Sequence, residues 1–216
     1  SGGVSLEVNT PHPSISSLNQ ILQKNGSSNG ETVETLTLIS EQIERISRVT
    51  KDLTDFARVR PAARRLVNAN EVLDAALRLA SFRATSERVE IVKEFQDDLP
   101  DISADPDQLQ QVFLNLFLNS FDAMPEGGRL DIATRTGDGI VIVEVTDSGS
   151  GITKADAKRI FDPFFTTKPT GKGTGLGLAV CYGVVTTHGG TIELSRSGPD
   201  GSTFVVKLPL QSEAAA

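Results

Sequence analysis

The spacing of apolar and polar positions along the chain changes once, near Arg60-Pro61, and divides it into two parts. Before that point apolar residues recur at helical intervals. Leu6, Ile15, Leu18, Ile21 and Leu22 mark a first helix from about residue 6 to 24, with Pro11 and Pro13 disturbing its first turns. Asn25-Gly26-Ser27-Ser28-Asn29-Gly30 is a turn by composition. Leu36, Ile39, Ile43, Ile46, Val49, Leu53 and Phe56 then step by threes and fours, a stripe close to a heptad seam. Two helices cannot cover both stripes, so the pattern predicts a second copy of the chain that completes a four-helix bundle. The second helix is longer than the first, and the first is expected to continue upstream.

After Pro61 short β-type runs alternate with helical segments. Strands are expected at Arg64–Val67, Val89–Phe95, Arg129–Thr136, Ile140–Thr146, Thr191–Ser197 and Thr203–Leu208, and helices near Ala69–Phe82, Pro106–Met124 and Thr174–His188. Gly137-Asp138-Gly139 and Gly198-Pro199-Asp200-Gly201 are placed to turn antiparallel hairpins. The expected fold class is therefore α+β. A helical hairpin over residues 1–61 contributes to a dimeric four-helix bundle, and an α/β sandwich with a mixed sheet follows over 62–212.

Composition changes this picture little. The chain of 216 residues carries a net charge of −7 with no block of Lys and Arg, which argues against a nucleic-acid partner. A single cysteine, Cys181, rules out an internal disulfide and fits a reducing compartment. No apolar run approaches the roughly 20 residues of a membrane span, so no membrane contact is expected within this stretch, although a parent protein could be anchored elsewhere.

Three segments carry candidate chemistry. The helix from Asp107 to Met124 is apolar almost all round, yet Gln108, Gln111, Asn115, Asn119 and Asp122 form a polar stripe at intervals of three and four. A buried amide without partners is costly, so the stripe should face a polar cavity or ligand, or else bond neighbouring backbone. Next, a strand ends in Asp147-Ser148-Gly149-Ser150-Gly151-Ile152. The carboxylate could accept a hydrogen bond from an exocyclic amine and the glycines leave room for a flat ring, although an acidic turn after a strand is common in itself. Finally, Gly171-Lys172-Gly173-Thr174-Gly175-Leu176-Gly177-Leu178 runs into a helix, which exposes backbone N–H groups at the positive end of a dipole. That suits phosphate, and the spacing matches neither a P-loop nor a dinucleotide fingerprint. Between the last two lies Phe161-Asp162-Pro163-Phe164-Phe165, expected to pin a loop by an aromatic plug, with Lys168 and Lys172 within reach of phosphates.

In this order and spacing the segments resemble the sensor histidine kinases, whose nucleotide-binding fold (the Bergerat type) is shared with type II topoisomerases, Hsp90 chaperones and MutL-type repair ATPases. Asn115 and Asn119 match the N box, Asp147 to Gly151 the first Gly box, Phe161 to Phe165 the F box, and Gly173 to Gly177 the second Gly box. The resemblance implies ATP and Mg²⁺. Asn119 would hold the metal and phosphate oxygens, with Asn115 and Asp122 on the same face. Asp147 would bind the adenine amine, and Gly149, Gly151 and Ile152 would line the base. Phe165, Lys168, Gly173, Thr174, Gly175, Leu176, Gly177 and Leu178 would serve the lid and phosphates, and Thr203 would back the adenine through water. It also implies a homodimer through a histidine-phosphotransfer hairpin, a response-regulator receiver domain as partner, and a cytoplasmic location.

One motif departs from the family. Its phosphoacceptor stands in a His-Glu-x-x-Asn/Thr-Pro sequence, and here the matching stretch is Leu6-Glu7-Val8-Asn9-Thr10-Pro11, with a histidine instead at His12. Six residues turn a helical side chain by about 240° net and carry it about 9 Å along the axis, so Glu7, the expected base, would not reach the His12 ring. Three readings stay open: a shifted register in which His12 accepts phosphate, an acceptor-deficient chain, or a different alignment of the motif. Thr10 matches the position linked to phosphatase activity, and His188 is expected to be structural. The leading expectation is an ATP-dependent protein-histidine kinase. The rivals are a nucleotide-binding dimeric module that does not autophosphorylate and, less well matched, an ATPase of the chaperone or repair type.

Overall fold

The computed structural model describes residues 62–86, 88–169 and 173–210, together with the helical positions Thr37, Ile39, Ser40, Ile43 and Ile46. The expected first helix, with Leu6, Glu7, Thr10 and His12, lies outside the described residues, as does Lys172. The chain divides into two compact units, Ser1–Val59 with Thr166–Leu176, and Arg60–Phe165 with Gly177–Ala216. In the first, Ile43 is buried, whereas Ile39 and Ile46, seven residues apart, remain 42% and 50% exposed.

The second unit contains, in chain order, β1 (Arg65–Val67), α1 (Ala69–Ser86), β2 (Val89–Glu94), β3 (Ile102–Ala104), α2 (Pro106–Asp122), β4 (Gly128–Gly137), β5 (Ile140–Asp147), a 3₁₀ turn at Asp156–Lys158, α3 (Gly177–Thr187), β6 (Thr191–Gly198) and β7 (Gly201–Pro209). Five strands form one sheet in the order β2-β4-β5-β7-β6. The β2–β4 pair is parallel and the other pairs are antiparallel, so the sheet is mixed as expected. β1 and β3 pair separately. β3 has three residues, too few for its alternation to stand out in the sequence.

Alternation places the core. Leu130, Ile132, Val141, Val143, Val145, Phe204, Val206 and Leu208 line the sheet face that packs with the three helices. α2 is the centre of that layer. Phe113, Phe117 and Phe121, four residues apart, are completely buried, and each contributes about 1.5–3 kcal/mol of burial. The β4–β5 turn has positive φ at both central residues, 52° at Asp138 and 74° at Gly139, which is the twist that a two-residue hairpin requires.

α3 begins three residues later than expected. Gly175 has φ 68°, outside the right-handed helical region, so Thr174, Gly175 and Leu176 precede the helix.

Asp105 caps α2, with Oδ1 accepting from the Asp107 and Gln108 amides at 3.0 and 3.2 Å. Pro106 follows at a position where its missing N–H costs nothing. Burial tends to raise the Asp105 pKa, but donation from the Ala63, Gln108 and Asp107 amides prevails and holds it below the ordinary value. A depressed folded-state pKa contributes stability above the unfolded pKa that is lost as pH falls through the folded one. Asp105→Ala should therefore cost about 1–3 kcal/mol in urea denaturation at neutral pH, with the difference from the parent shrinking in acid.

Candidate functional site

Asp147 is the last inward position of β5, after Val141, Val143 and Val145 at steps of two. Period-two alternation thus carries a carboxylate onto the core face, where it is 4% exposed. Its Oδ1 accepts from the Gly149 amide at 2.9 Å and the Ser202 amide at 3.2 Å. Burial pushes the Asp147 pKa up, against these amides and the Ser120 hydroxyl, which favour the charged form.

The loop after Asp147 is held on three sides. The Ser150 amide donates to the Ala123 carbonyl at 3.1 Å, the Ser148 amide to the Arg129 carbonyl at 3.0 Å, and the Ile152 amide to Ser197 Oγ at 2.6 Å. Ser197 Oγ in turn lies 2.9 Å from Ser202 Oγ. The glycines are demanded by this packing. A Cβ on Gly149 would stand 2.7 Å from the Ala123 carbonyl, and one on Gly151, at φ 72°, would stand 1.8 Å from the Gly198 carbonyl. Both glycines thus let the chain pass close to another stretch of backbone.

The polar stripe of α2 keeps out of the core: Gln108, Gln111, Asn115 and Asn119 are all half-buried. Asn115 Nδ2 donates to the Gly177 carbonyl at 3.4 Å, which ties the stripe to the start of α3. Ser120, next to Asn119, is buried and supports Asp147. Asp122, at the end of the stripe, is exposed and its carboxylate pairs with Arg83 on α1.

Strand alternation separates Thr203 from Asp147. Thr203 Oγ1 lies 3.0 Å from Thr146 Oγ1, and this cross-strand pair occupies the opposite face of the sheet. Ser202, the cross-strand partner of Asp147, is the β7 residue on its side. Counting back by two from Leu208, Val206 and Phe204 would have found it.

The aromatic segment behaves as a plug only in part. Phe161 and Phe165 pack against the core, with the Arg159 guanidinium 4.6 Å from the Phe165 ring and Tyr182 5.8 Å from Phe161. Phe164 is 63% exposed with φ 68°, an uncommon conformation for a bulky residue. Within Thr166–Leu176, the Lys168 amide donates to Thr166 Oγ1 at 3.2 Å and the Leu176 amide to Thr174 Oγ1 at 3.4 Å. A Cβ on Gly173 would meet Thr166 Oγ1 at 2.6 Å, and Leu176 is buried. Leu178 is half-buried in the first turn of α3.

Two groups are structural. Burial pushes the Cys181 thiol up to about 12, so it stays protonated. His188 is buried, with Nε2 accepting from the Asp105 amide at 3.0 Å and Nδ1 donating to the Val184 carbonyl at 2.8 Å.

These features together define a GHKL-type ATP-binding domain. Residues 104–212 match the family of histidine kinase-, DNA gyrase B- and HSP90-like ATPases. The chain belongs to this family, and within it to the sensor histidine kinases. It is 37% identical over 209 residues to the sensor histidine kinase ZraS of Escherichia coli K12, covering 96% of this chain and 44% of that protein. The structure of full-length ShkA with AMPPNP superposes with a TM-score of 0.81 at 26% identity, over 99% of this chain and 46% of that one. The histidine kinase ThkA, solved in complex with the response regulator TrrA, shares the fold at a TM-score of 0.72 and 23% identity, over 98% and 61%. This chain spans about half the length of the curated relatives it matches.

Gly151→Ala should lower the thermal midpoint by several degrees, because the added methyl must displace backbone at Gly198 and because φ 72° is strained for alanine. Gly137→Ala, with open space around its Cβ position, should change it far less.

Proposed function

We propose that this chain is the ATP-binding and phosphotransfer core of a sensor histidine kinase. ATP binds with Mg²⁺, its γ-phosphoryl passes to a bundle histidine, and an Asp on a response-regulator receiver domain takes it next. The observation that carries the reading is Asp147. It is a buried carboxylate whose Oδ1 is occupied by two backbone donors, so that the exocyclic amine of adenine would address Oδ2. Ser120 and Ser202 would hold it in position.

Asn115 and Asn119 would face the phosphates. The amides at the start of α3, from Gly177 and Leu178, would donate to anionic oxygens at a helix amino end. By resemblance Gly173 to Leu176 and Lys168 would add donors, Phe165 would anchor the lid, and Ile152 would pack on the base. Among the described residues no group of three His, Cys, Asp or Glu side chains can hold a metal. Mg²⁺ would share the nucleotide's own oxygens, and the Asn119 amide oxygen suits an ion held in that way. The bound ion would neutralise charge on the transferring phosphoryl group.

Dimerisation through the hairpin is supported by Ile39 and Ile46, which repeat at heptad spacing and stay half exposed in the single chain. The receiver-domain partner is supported by the family and by ThkA, which was solved with its response regulator. The proposed location is cytoplasmic, as the resemblance to the kinases implies; no helix among the described residues is long and apolar enough to cross a membrane. Leu6 favours a second reading, in which the chain binds ATP as a dimeric signalling module but lacks its phosphoacceptor.

Labelled ATP separates the two. Acid-labile label on the parent that disappears in His12→Ala makes His12 the acceptor, and label on Leu6→His alone makes the parent acceptor-deficient. If neither the parent nor any variant binds ATP, both readings fail.

Calorimetry with ADP tests Asp147. Asp147→Asn should weaken binding about tenfold or more, the loss of one hydrogen bond to a charged group. Because burial raises the Asp147 pKa, the parent's affinity should decline on acidification at a higher pH than an ordinary Asp would give, whereas the Asn variant should stay flat over that range. The same protonation favours the folded state, since the raised pKa belongs to it. A profile shared by parent and variant would rule out the carboxylate as the adenine acceptor.

A further inference from the structure

Residues 62–64 enter the nucleotide-binding unit where α2 begins and α3 ends. The Ala63 amide donates to Asp105 Oδ2 at 2.9 Å, and the Arg64 guanidinium donates to the Thr187 carbonyl in the last turn of α3. The carbonyls there have no partner within the helix and carry the negative end of its dipole, which suits a cation. We propose that these residues form a releasable clasp, which can let go of the unit without disturbing the helices that hold nucleotide.

The division of labour at Asp105 makes release separable from folding. Oδ1 caps α2 through the Asp107 and Gln108 amides, and Oδ2 alone holds Ala63. The Asp105 backbone is fixed independently, because its amide donates to the buried ring of His188, itself bonded to the Val184 carbonyl. The platform is therefore built from α2 and α3 and is complete without the clasp. Ala63 and Arg64 are both exposed, so water replaces their bonds readily on opening. The next attachment is Arg65, paired with Ala104 in the small sheet. Opening thus frees two residues, roughly 7 Å of additional reach at about 3.5 Å per residue. Closed, the clasp sets the direction in which the chain leaves the unit; open, it gives the unit slack on that side.

Asp105→Asn isolates the clasp chemically. Its amide oxygen can still cap α2, but the NH₂ group then faces the Ala63 N–H, donor against donor. Arg64→Gln removes the second tie on an exposed residue. Site-resolved hydrogen exchange on the full chain should show the Ala63 amide exchanging at least tenfold faster in Asp105→Asn and measurably faster in Arg64→Gln. Amides of α2 from Leu109 to Phe113, and the affinity for ADP, should stay within twofold. An Ala63 amide that exchanges in the parent at the rate of an unstructured chain overturns the proposal. So does a parallel rise across α2, which would make Asp105 a helix cap and nothing more.

The consequence for phosphoryl transfer rests on the function proposed above. In a Leu6→His background, Arg64→Gln should change the rate of label incorporation at unchanged ADP affinity. Absence of label in that background counts against the kinase reading, and the exchange data then judge the clasp alone. Label at an unaltered rate together with faster Ala63 exchange removes the clasp's part in transfer.

Discussion

The packing of α2 is the constraint on which the rest of this unit depends. The helix is closed in by the sheet and by α1 and α3, and it buries Phe113, Phe117 and Phe121 completely. It nevertheless carries a row of amides that cannot be buried without partners. Both conditions hold because the polar row emerges along one stripe, where Asn115 reaches the carbonyl of Gly177. The phenylalanine ladder fixes the rotation of the helix about its axis, and that rotation decides where Asn115 and Asn119 point. The aromatic core is thus also the alignment device for the polar stripe.

Asp147 is the counterpart of that arrangement on the sheet. A carboxylate at a core position is unfavourable unless donors surround it, and here the donors come from three elements: the loop that follows, β7 and α2. The two loop glycines belong to the same solution. Each lets the chain pass another backbone at a distance that no Cβ allows, which draws the end of α2 and the β6–β7 turn in on the carboxylate. A site assembled in this way is stiff by construction, because the hydrogen bonds that hold Asp147 also hold the loop.

Much of this was legible in the residues. The alternation in β4, β5 and β7 and the apolar character of α2 gave the layers, and Asp138-Gly139 marked a hairpin turn through its demand for positive φ. β3 was not legible, because three residues carry no period. The start of α3 was placed three residues early, because the positive φ of Gly175 that turns the backbone out of the helix leaves no mark in the residue pattern. Thr203 was expected on the adenine side, but strand alternation turns its hydroxyl to the far face and brings Ser202 beside Asp147.

Which residue types could do chemistry, and in what order they occur, was readable from the chain alone, because motif spacing and side-chain period are local properties. So was the carboxylate that ends an apolar strand, with glycines following it. What surrounds that carboxylate was settled by packing, since Ser120 and Ser202 reach it from segments far apart in the chain and join the neighbouring Gly149 amide there. The same is true of Asp105, whose two oxygens serve a helix and the chain's entry point separately. A hydrogen bond between residues forty or eighty positions apart leaves no periodic trace, so it can be seen only once packing has brought the partners together.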